Sequence, residues 1–187
     1  SSDQLAGLSS DQIGQLSTGQ VAELTTAQVN SQTSDEFNAF NTQQIASLST
    51  AQVGALSTDQ LAAIESSDLA ALGTRGMRAL GTDQIAALTS DGIIALTTAQ
   101  AGSLTSAQVA GLTSDQIAAM ATDDLRAVGT AALRALSTDQ LAALTSDQLP
   151  QLTTLQVASF TTAQVSSLTS DDLNAFTTQQ FAGMATA

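Results

Sequence analysis

The apolar and polar positions of this chain repeat every eight residues from Ser1 to Met184, without an insertion or a deletion. We number the positions of each block one to eight, so that the first block, SSDQLAGL, begins with slot one at Ser1 and ends with slot eight at Leu8. Slot five is apolar in every block, and slot eight is apolar in every block except at Gln32. So strict a period predicts one small structural unit that is stacked on copies of itself.

The polar slots carry the signature of a helix N-terminus. Slot one is mostly Ser, Thr or Asn, slot three is commonly Asp, and slot four is usually Gln. If slot one is the N-cap, its hydroxyl accepts from the slot-four amide, and the Gln reaches back to the amide of the cap, as for Thr113 and Gln116. The preceding slot-eight residue then packs on slot five as a hydrophobic staple, as for Leu112 and Ile117. These signals predict a helix start in each block.

Other folds fit the period less well. In a continuous α-helix an eight-residue repeat overshoots two turns by about 80°, so its apolar stripe would wind around the rod, and coiled coils use periods of seven or eleven. In a strand, slots five and eight would face opposite sides. A β-solenoid could bury both sides, but the blocks are rich in Ala, Leu and Gln and lack the β-branched alternation of strands. A β-solenoid and partial disorder stay open as alternatives.

The predicted fold is therefore all-α: a solenoid, or superhelix, of very short helices, with one helix per eight-residue repeat. Helices this short are unstable alone in water, so packing between blocks must hold them. We expect slots five and eight to line a narrow apolar axis, with the hydroxyl, Gln and Asp slots outside. Residues 1–187 form a single array of 23 blocks (1–184) with a short tail, and we expect it to be a piece of a longer array.

Composition narrows the possible functions. The chain has no His, Cys or Lys, so the usual general base, thiolate metal ligands and disulfides are all missing, and we expect neither an enzyme nor a cofactor or metal site. The net charge of −13 argues against nucleic acid as a partner and against anionic membrane surfaces. No apolar run is long enough for membrane insertion. Acid pairs such as Asp123 with Asp124 could attract Ca²⁺, but the helix dipole explains first-turn carboxylates more simply.

Candidate site residues come from blocks that depart from the consensus. Residues 65–80 and 121–136 resemble each other and hold all four basic side chains, which are those of Arg75, Arg78, Arg126 and Arg134. These arginines could dock a partner or pair with an acid such as Asp124. The plainer interpretation is a duplicated segment with solvated arginines, because surface ion pairs contribute little. The unbroken Ser/Thr column at slot two offers either a structural role or a ladder of hydroxyls for a ligand.

Segments such as TTAQVSSLTSDDL and DQLAALTSDQL resemble the octapeptide repeats of very large bacterial surface or secreted proteins, which are often described as adhesin-like or haem-utilisation proteins. The resemblance implies a stalk or passenger segment with an extracellular or cell-surface location. A haem role finds no support in this segment, since His and Tyr are missing and the methionines occupy core slots.

We therefore expect a noncatalytic structural spacer of a bacterial surface or secreted protein, whose main partners are the neighbouring repeats of the same chain. The alternative is a binding module that docks a protein or glycan partner through an outer ladder of hydroxyl, Gln and Asp side chains or through the arginine-containing blocks.

Overall fold

The computed structural model describes residue 5 and residues 7–184, and each regular element in these residues is a helix. From the second block onwards there is one short element per block, which is α-helical in all blocks but one. In chain order the α-helices are α1 (Ser10–Gly14), α2 (Thr18–Ala22), α3 (Thr26–Asn30), α4 (Ser34–Phe37), α5 (Thr42–Ala46), α6 (Thr50–Gly54), α7 (Thr58–Ala63), α8 (Ser66–Ala71), α9 (Gly73–Ala79), α10 (Thr82–Ala86), α11 (Ser90–Ile94), α12 (Thr98–Ser103), α13 (Ser106–Gly111), α14 (Ser114–Ala119), α15 (Thr122–Ala127), α16 (Thr130–Leu133), α17 (Thr138–Ala142), α18 (Thr154–Ala158), α19 (Thr162–Ser167), α20 (Ser170–Ala175) and α21 (Thr178–Met184). A 3-10 helix, Leu149–Gln151, lies between α17 and α18.

Most helices begin at the predicted capping box. In α6 the N-cap Ser49 is extended, with φ −70° and ψ 159°. Its hydroxyl accepts from the Gln52 amide at 3.3 Å, while Gln52 Oε1 accepts from the Ser49 amide at 2.7 Å. The helix ends one turn later, where the Leu56 amide donates to the Val53 carbonyl at 3.1 Å. Because the next slot one is extended again, the helix cannot continue into the following block.

The blocks form two compact units, the first ending at Leu96 and the second beginning at Thr97. Inside each unit the main contacts join helices three blocks apart, such as α5 with α8 in the first unit and α12 with α15 in the second. The backbones approach closely there, since the side-chain amide of Asn30 donates to the carbonyl of Ala55, 2.7 Å away and 25 residues later. The all-α solenoid of short helices predicted from the sequence is thereby confirmed.

Slots five and eight form the core of each unit, as predicted. The slot-five side chains of Ile45, Ile117 and Leu141 are 1% exposed, and the slot-eight side chains of Leu88 and Leu112 are 3% exposed. These two apolar side chains per block supply most of the buried apolar surface in the described residues, and their burial supplies the main stabilisation.

The junction between α8 and α9 departs from the pattern. Leu72 has φ −58° and ψ −24°, so it stays helical where other slot-eight residues are extended. Gly73 follows with a φ of +60°, a conformation that glycine adopts without strain. A Cβ atom on Gly76 would lie 2.9 Å from Leu72 Cβ, so this close approach requires a glycine.

The block at residues 145–152 forms a 3-10 helix instead of an α-helix. Pro150 occupies slot six of this block and has no amide hydrogen to donate along a helix. The capping box at Thr145 and Gln148 is still present, with the Gln148 amide 3.2 Å from Thr145 Oγ1. Pro150 therefore changes the type of this short helix but leaves the capping box before it in place.

Candidate functional site

The slot-four glutamine joins one turn of the solenoid to the next. Gln52 Oε1 accepts from its own N-cap, and Gln52 Nε2 donates to the carbonyls of Val21 at 2.9 Å and Leu24 at 2.8 Å. These carbonyls lie 31 and 28 residues earlier, at slots five and eight of the fourth block before it. The same pair of bonds is made by Gln44, Gln60 and Gln84 in the first unit and by Gln140, Gln148, Gln156, Gln164 and Gln180 in the second.

These bonds define the superhelical turn inside each unit. Helices contact their neighbours three blocks away, and the glutamines reach four blocks back, so one turn takes between three and four blocks. At the end of a short helix the slot-eight carbonyl, such as that of Leu24, has no backbone donor, and the slot-five carbonyl, such as that of Val21, accepts from the slot-eight amide and has a second lone pair free. The glutamine of the next turn donates to both carbonyls, which is how such brief helices remain compatible with burial.

The prediction that the Gln slot lies outside is wrong. Gln44 and Gln60 are 1% exposed, and the other glutamines that form these inter-turn bonds are buried as well. The physical reason is that an amide has both an acceptor and donors, so burial leaves none of its polar atoms unpaired. An outer ladder of Gln side chains is therefore not available to a partner along the stacked blocks.

The sequence did contain a signal for this role. Capping alone requires an acceptor, which Glu supplies as well as Gln. Slot four nevertheless holds Gln in most blocks and Glu only at Glu36. The preference for Gln over Glu indicates that the donor end of the side chain is also in use.

Asp68 is a buried exception at slot four, with 4% of its surface exposed. An ionised carboxylate has no proton to donate to the carbonyls of the fourth block before it. Desolvation raises the pKa of Asp68 above its ordinary value of 3.8, a hydrogen bond from Thr42 lowers it, and the charge of Glu65 raises it. Burial dominates, so this carboxyl stays protonated to higher pH than an exposed aspartate.

The hydroxyl and Asp slots do face outward. Slot-two residues such as Thr50, Thr98 and Thr162 are exposed, as are the slot-three carboxylates of Asp59 and Asp139. The capping hydroxyl comes from slot one where that slot is Ser or Thr, so the slot-two hydroxyls do not act as helix caps in these blocks. A hydroxyl column is thus on the surface, whereas the glutamine column is inside.

The acid pairs are engaged in capping and burial. Asp172 Oδ2 accepts from the Thr169 amide at 2.8 Å, which places it in a capping box. Asp124 is buried at slot four, and Asp123 is exposed at slot three of the same helix.

Within the described residues no group of three or more His, Asp or Glu side chains could hold a metal ion. No helix there is both long enough and apolar enough to cross a membrane.

The four sequence-predicted arginines lie in two places. Arg75 and Arg78 are in α9 of the first unit, whereas Arg126 lies in α15 and Arg134 directly follows α16 in the second unit. All four are exposed. In the described part of the chain none of their side chains has a hydrogen bond or ion pair, so the pairing of Asp124 with Arg126 or Arg134 is not formed.

Three of these arginines border surface grooves. The groove beside Arg134 has a volume of about 510 Å³ and is lined by Ser159, Phe160 and Thr161 among others. A second groove, of about 400 Å³, contains Arg126, and a third, of about 350 Å³, contains Arg75. Arg78 lines none of the three.

Two buried polar groups were not anticipated from the sequence. Both polar atoms of the Gln32 side chain are buried without a hydrogen-bond partner, as is Asn38 Oδ1. Gln32 was visible as the polar residue in the apolar slot-eight column, but sequence alone did not show that it is buried. Its backbone carbonyl is satisfied, because Gln60 Nε2 donates to it at 2.9 Å.

Stacked eight-residue blocks, a shared capping box and a glutamine that bonds the previous turn define this chain as a helical solenoid of short repeats. It belongs to the ALTTAQ repeat family, whose model matches residues 1–26, 32–63, 61–98, 93–122 and 117–154. The six letters occur unchanged at residues 95–100, where they run from slot seven through the staple and cap to the slot-four Gln. A comparison with curated proteins found none that matches this chain.

Proposed function

We propose that this array is a noncatalytic spacer segment of a bacterial surface or secreted protein, which separates the parts of the protein at its two ends. The observation that carries the proposal is the glutamine bond between turns, which repeats with the same spacing in block after block. Residues that are conspicuous in the sequence are thereby used in building the array itself. The surface location rests on the resemblance of the octapeptide blocks.

Further support comes from what the blocks share. Most blocks use their two apolar side chains for the core and their cap and glutamine for the junctions, and the exposed positions are mainly slots one, two, three and six. Exposed Asp and hydroxyl groups favour solubility and repulsion between arrays, as expected for a segment that separates other parts.

The spacer function is tested by exchange in the full-length protein. An epitope tag is fused ahead of the array, and residues 1–187 are replaced by an unrelated helical solenoid of equal length. We expect antibody labelling of the tag on intact cells to match that of the native protein, and removal of whole blocks to reduce it. If the native array gives normal labelling of the tag and the unrelated solenoid does not, the spacer function is contradicted. Labelling that requires permeabilised cells would contradict the surface location.

A second candidate function is docking of a protein or glycan partner at the arginine-containing blocks. The observation that favours it is that each of the three grooves contains one of the four arginines, although the chain has only 4 basic residues in all. A cation in a groove of an otherwise acidic surface is a natural contact for a negatively charged group. The two functions are compatible, since the grooves lie on the outside of the stacked blocks.

A further inference from the structure

Arg126 and Arg134 occupy equivalent positions in adjacent blocks of the second unit. Both stand at slot six, and each borders a groove whose other side is formed by slots seven, eight, one and two, three blocks later. For Arg134 these slots are residues 159–162, and for Arg126 they are residues 151–154. The repeat therefore builds the same groove wall twice, one block apart, while the remaining lining residues differ between the two grooves.

The stacking explains how the two slot-six arginines of the second unit reach a groove, whereas Arg78, at slot six in the first unit, lines none of the three grooves. Slot six packs beneath the slot-seven carbonyl three blocks later, and a Cβ atom on Gly102 would lie 3.1 Å from the Ala127 carbonyl oxygen. An Asn at this slot reaches that carbonyl, as Asn38 does at 2.8 Å from Ala63. The arginine side chain is longer, is exposed and has no partner within the described residues, so its guanidinium remains available in the groove.

The groove linings indicate which anion would fit. Around Arg134 they offer the exposed hydroxyls of Thr162 and Ser166, while the hydroxyls of Ser159 and Thr161 already bond within the fold. Around Arg126 the exposed polar side chains are Gln151, Thr154 and Gln179. Neither lining includes an acidic residue. Hydroxyl and amide groups both donate and accept hydrogen bonds, which suits a polyhydroxylated ligand. Volumes of about 510 and 400 Å³ lie in the range of small-molecule sites.

We propose that the grooves at Arg126 and Arg134 each bind an acidic sugar of a carboxylated carbohydrate. Each guanidinium forms a two-point pair with a sugar carboxylate, the geometry that favours arginine over lysine at such sites. The hydroxyl side chains receive the sugar hydroxyls, and the partly buried ring of Phe160 offers an apolar face. This inference rests on the second candidate function and names its ligand.

The test is isothermal titration of the 187-residue chain with digalacturonic acid, and with its dimethyl ester as the uncharged counterpart. We expect weak but measurable binding of the acid, and binding of the ester about tenfold weaker, since a charge-assisted pair is lost. The double variant Arg126→Gln/Arg134→Gln should lose about tenfold in affinity for the acid. The control Arg78→Gln, which alters an exposed arginine outside these grooves, should bind as the unmodified chain does.

Circular dichroism melting curves show whether each variant folds as the unmodified chain does, which is expected because these arginines have no intramolecular partner. Equal binding of acid and ester, or an unchanged double variant, would overturn the proposal. If tetraglutamate binds with the same arginine dependence and digalacturonic acid does not, the sugar assignment fails while docking at the arginines stands. If neither binds, docking of anionic ligands at these grooves fails as well, and the spacer function is unaffected.

Discussion

Gln148 Nε2 lies 2.8 Å from the carbonyl oxygen of Met120, to which it donates a hydrogen bond across 28 residues of sequence. The same nitrogen is 3.0 Å from the Ile117 carbonyl, and Gln148 Oε1 accepts from the Thr145 amide at 2.9 Å. One side chain therefore starts its own helix and satisfies the end of a helix in the previous turn. The array is stabilised by this dual use at slot four.

Replacement of Gln148 by Met should destabilise the second unit strongly. Met has a similar volume but leaves the Met120 carbonyl and the cap amide without partners, and it removes one of the two donors to the Ile117 carbonyl, which predicts a loss of about 2–4 kcal/mol in the free energy of unfolding. Gln12→Met is the matched control, because Gln12 has the same capping box but is exposed, and we expect a loss of about 1 kcal/mol or less. Urea unfolding measures both, and equal losses would show that the inter-turn bonds contribute nothing.

Gln32→Leu should stabilise the first unit. The amide of Gln32 is buried without a hydrogen-bond partner in a column that is otherwise apolar, so leucine removes a desolvation cost and adds apolar burial. We expect a gain of about 1–3 kcal/mol in the free energy of unfolding. Gln43→Leu, at an exposed position, is the control and should have little effect. A loss of stability in Gln32→Leu would mean that the buried amide has a partner in solution.

Asp68→Gln should stabilise the protein in a pH-dependent manner. The pKa of Asp68 is raised in the folded state, so the fold binds this proton more tightly than the unfolded chain does, and stability falls as the pH rises above about 3.8. Gln removes the buried charge and restores the donor, so the gain should be largest at pH 7, at about 1–2 kcal/mol, and should shrink towards pH 4. Thermal melting from pH 4 to 7 gives the profile.

Asp59→Gln is the control for that profile, since it removes a carboxylate from an exposed slot-three position. Its change in melting temperature at each pH is the baseline with which the gain from Asp68→Gln is compared. A gain at Asp68 that is the same at every pH would contradict the role of the buried carboxyl, although it would leave the restored hydrogen bond as an explanation.

Ile117→Asp should unfold several blocks together. Ile117 is 1% exposed, and an unpaired charge in its place would have no compensating partner in the apolar core. We expect hydrogen exchange to accelerate in the adjacent blocks and in the blocks one turn away. Ala107→Asp introduces the same charge at an exposed slot three, where Asp is common, and should leave exchange unchanged. Acceleration confined to residues 113–120 would contradict a shared core.

The short helices could be predicted from the sequence because their causes are local. The cap at Thr113, its partner Gln116 and the staple from Leu112 to Ile117 all lie within six residues. The number of blocks in one superhelical turn could not be predicted, because it depends on contacts between residues 25 to 31 positions apart. Such contacts leave no local signature in the sequence. The burial of the slot-four side chain was missed for the same reason. The grooves beside Arg126 and Arg134 also depend on stacking, so sequence identified the residues but not their setting.

Each inter-turn glutamine bond joins residues that are 28 or 31 positions apart in the sequence. The bond therefore forms only if every block between the two residues keeps its length. One added residue would not be taken up in a loop, because it would misalign each amide whose target lies on the other side of the insertion, over a full turn. Gain or loss of complete octets keeps the alignment. An array of this kind can therefore lengthen or shorten in the course of evolution by recombination between its own repeats, while smaller changes in length are purged.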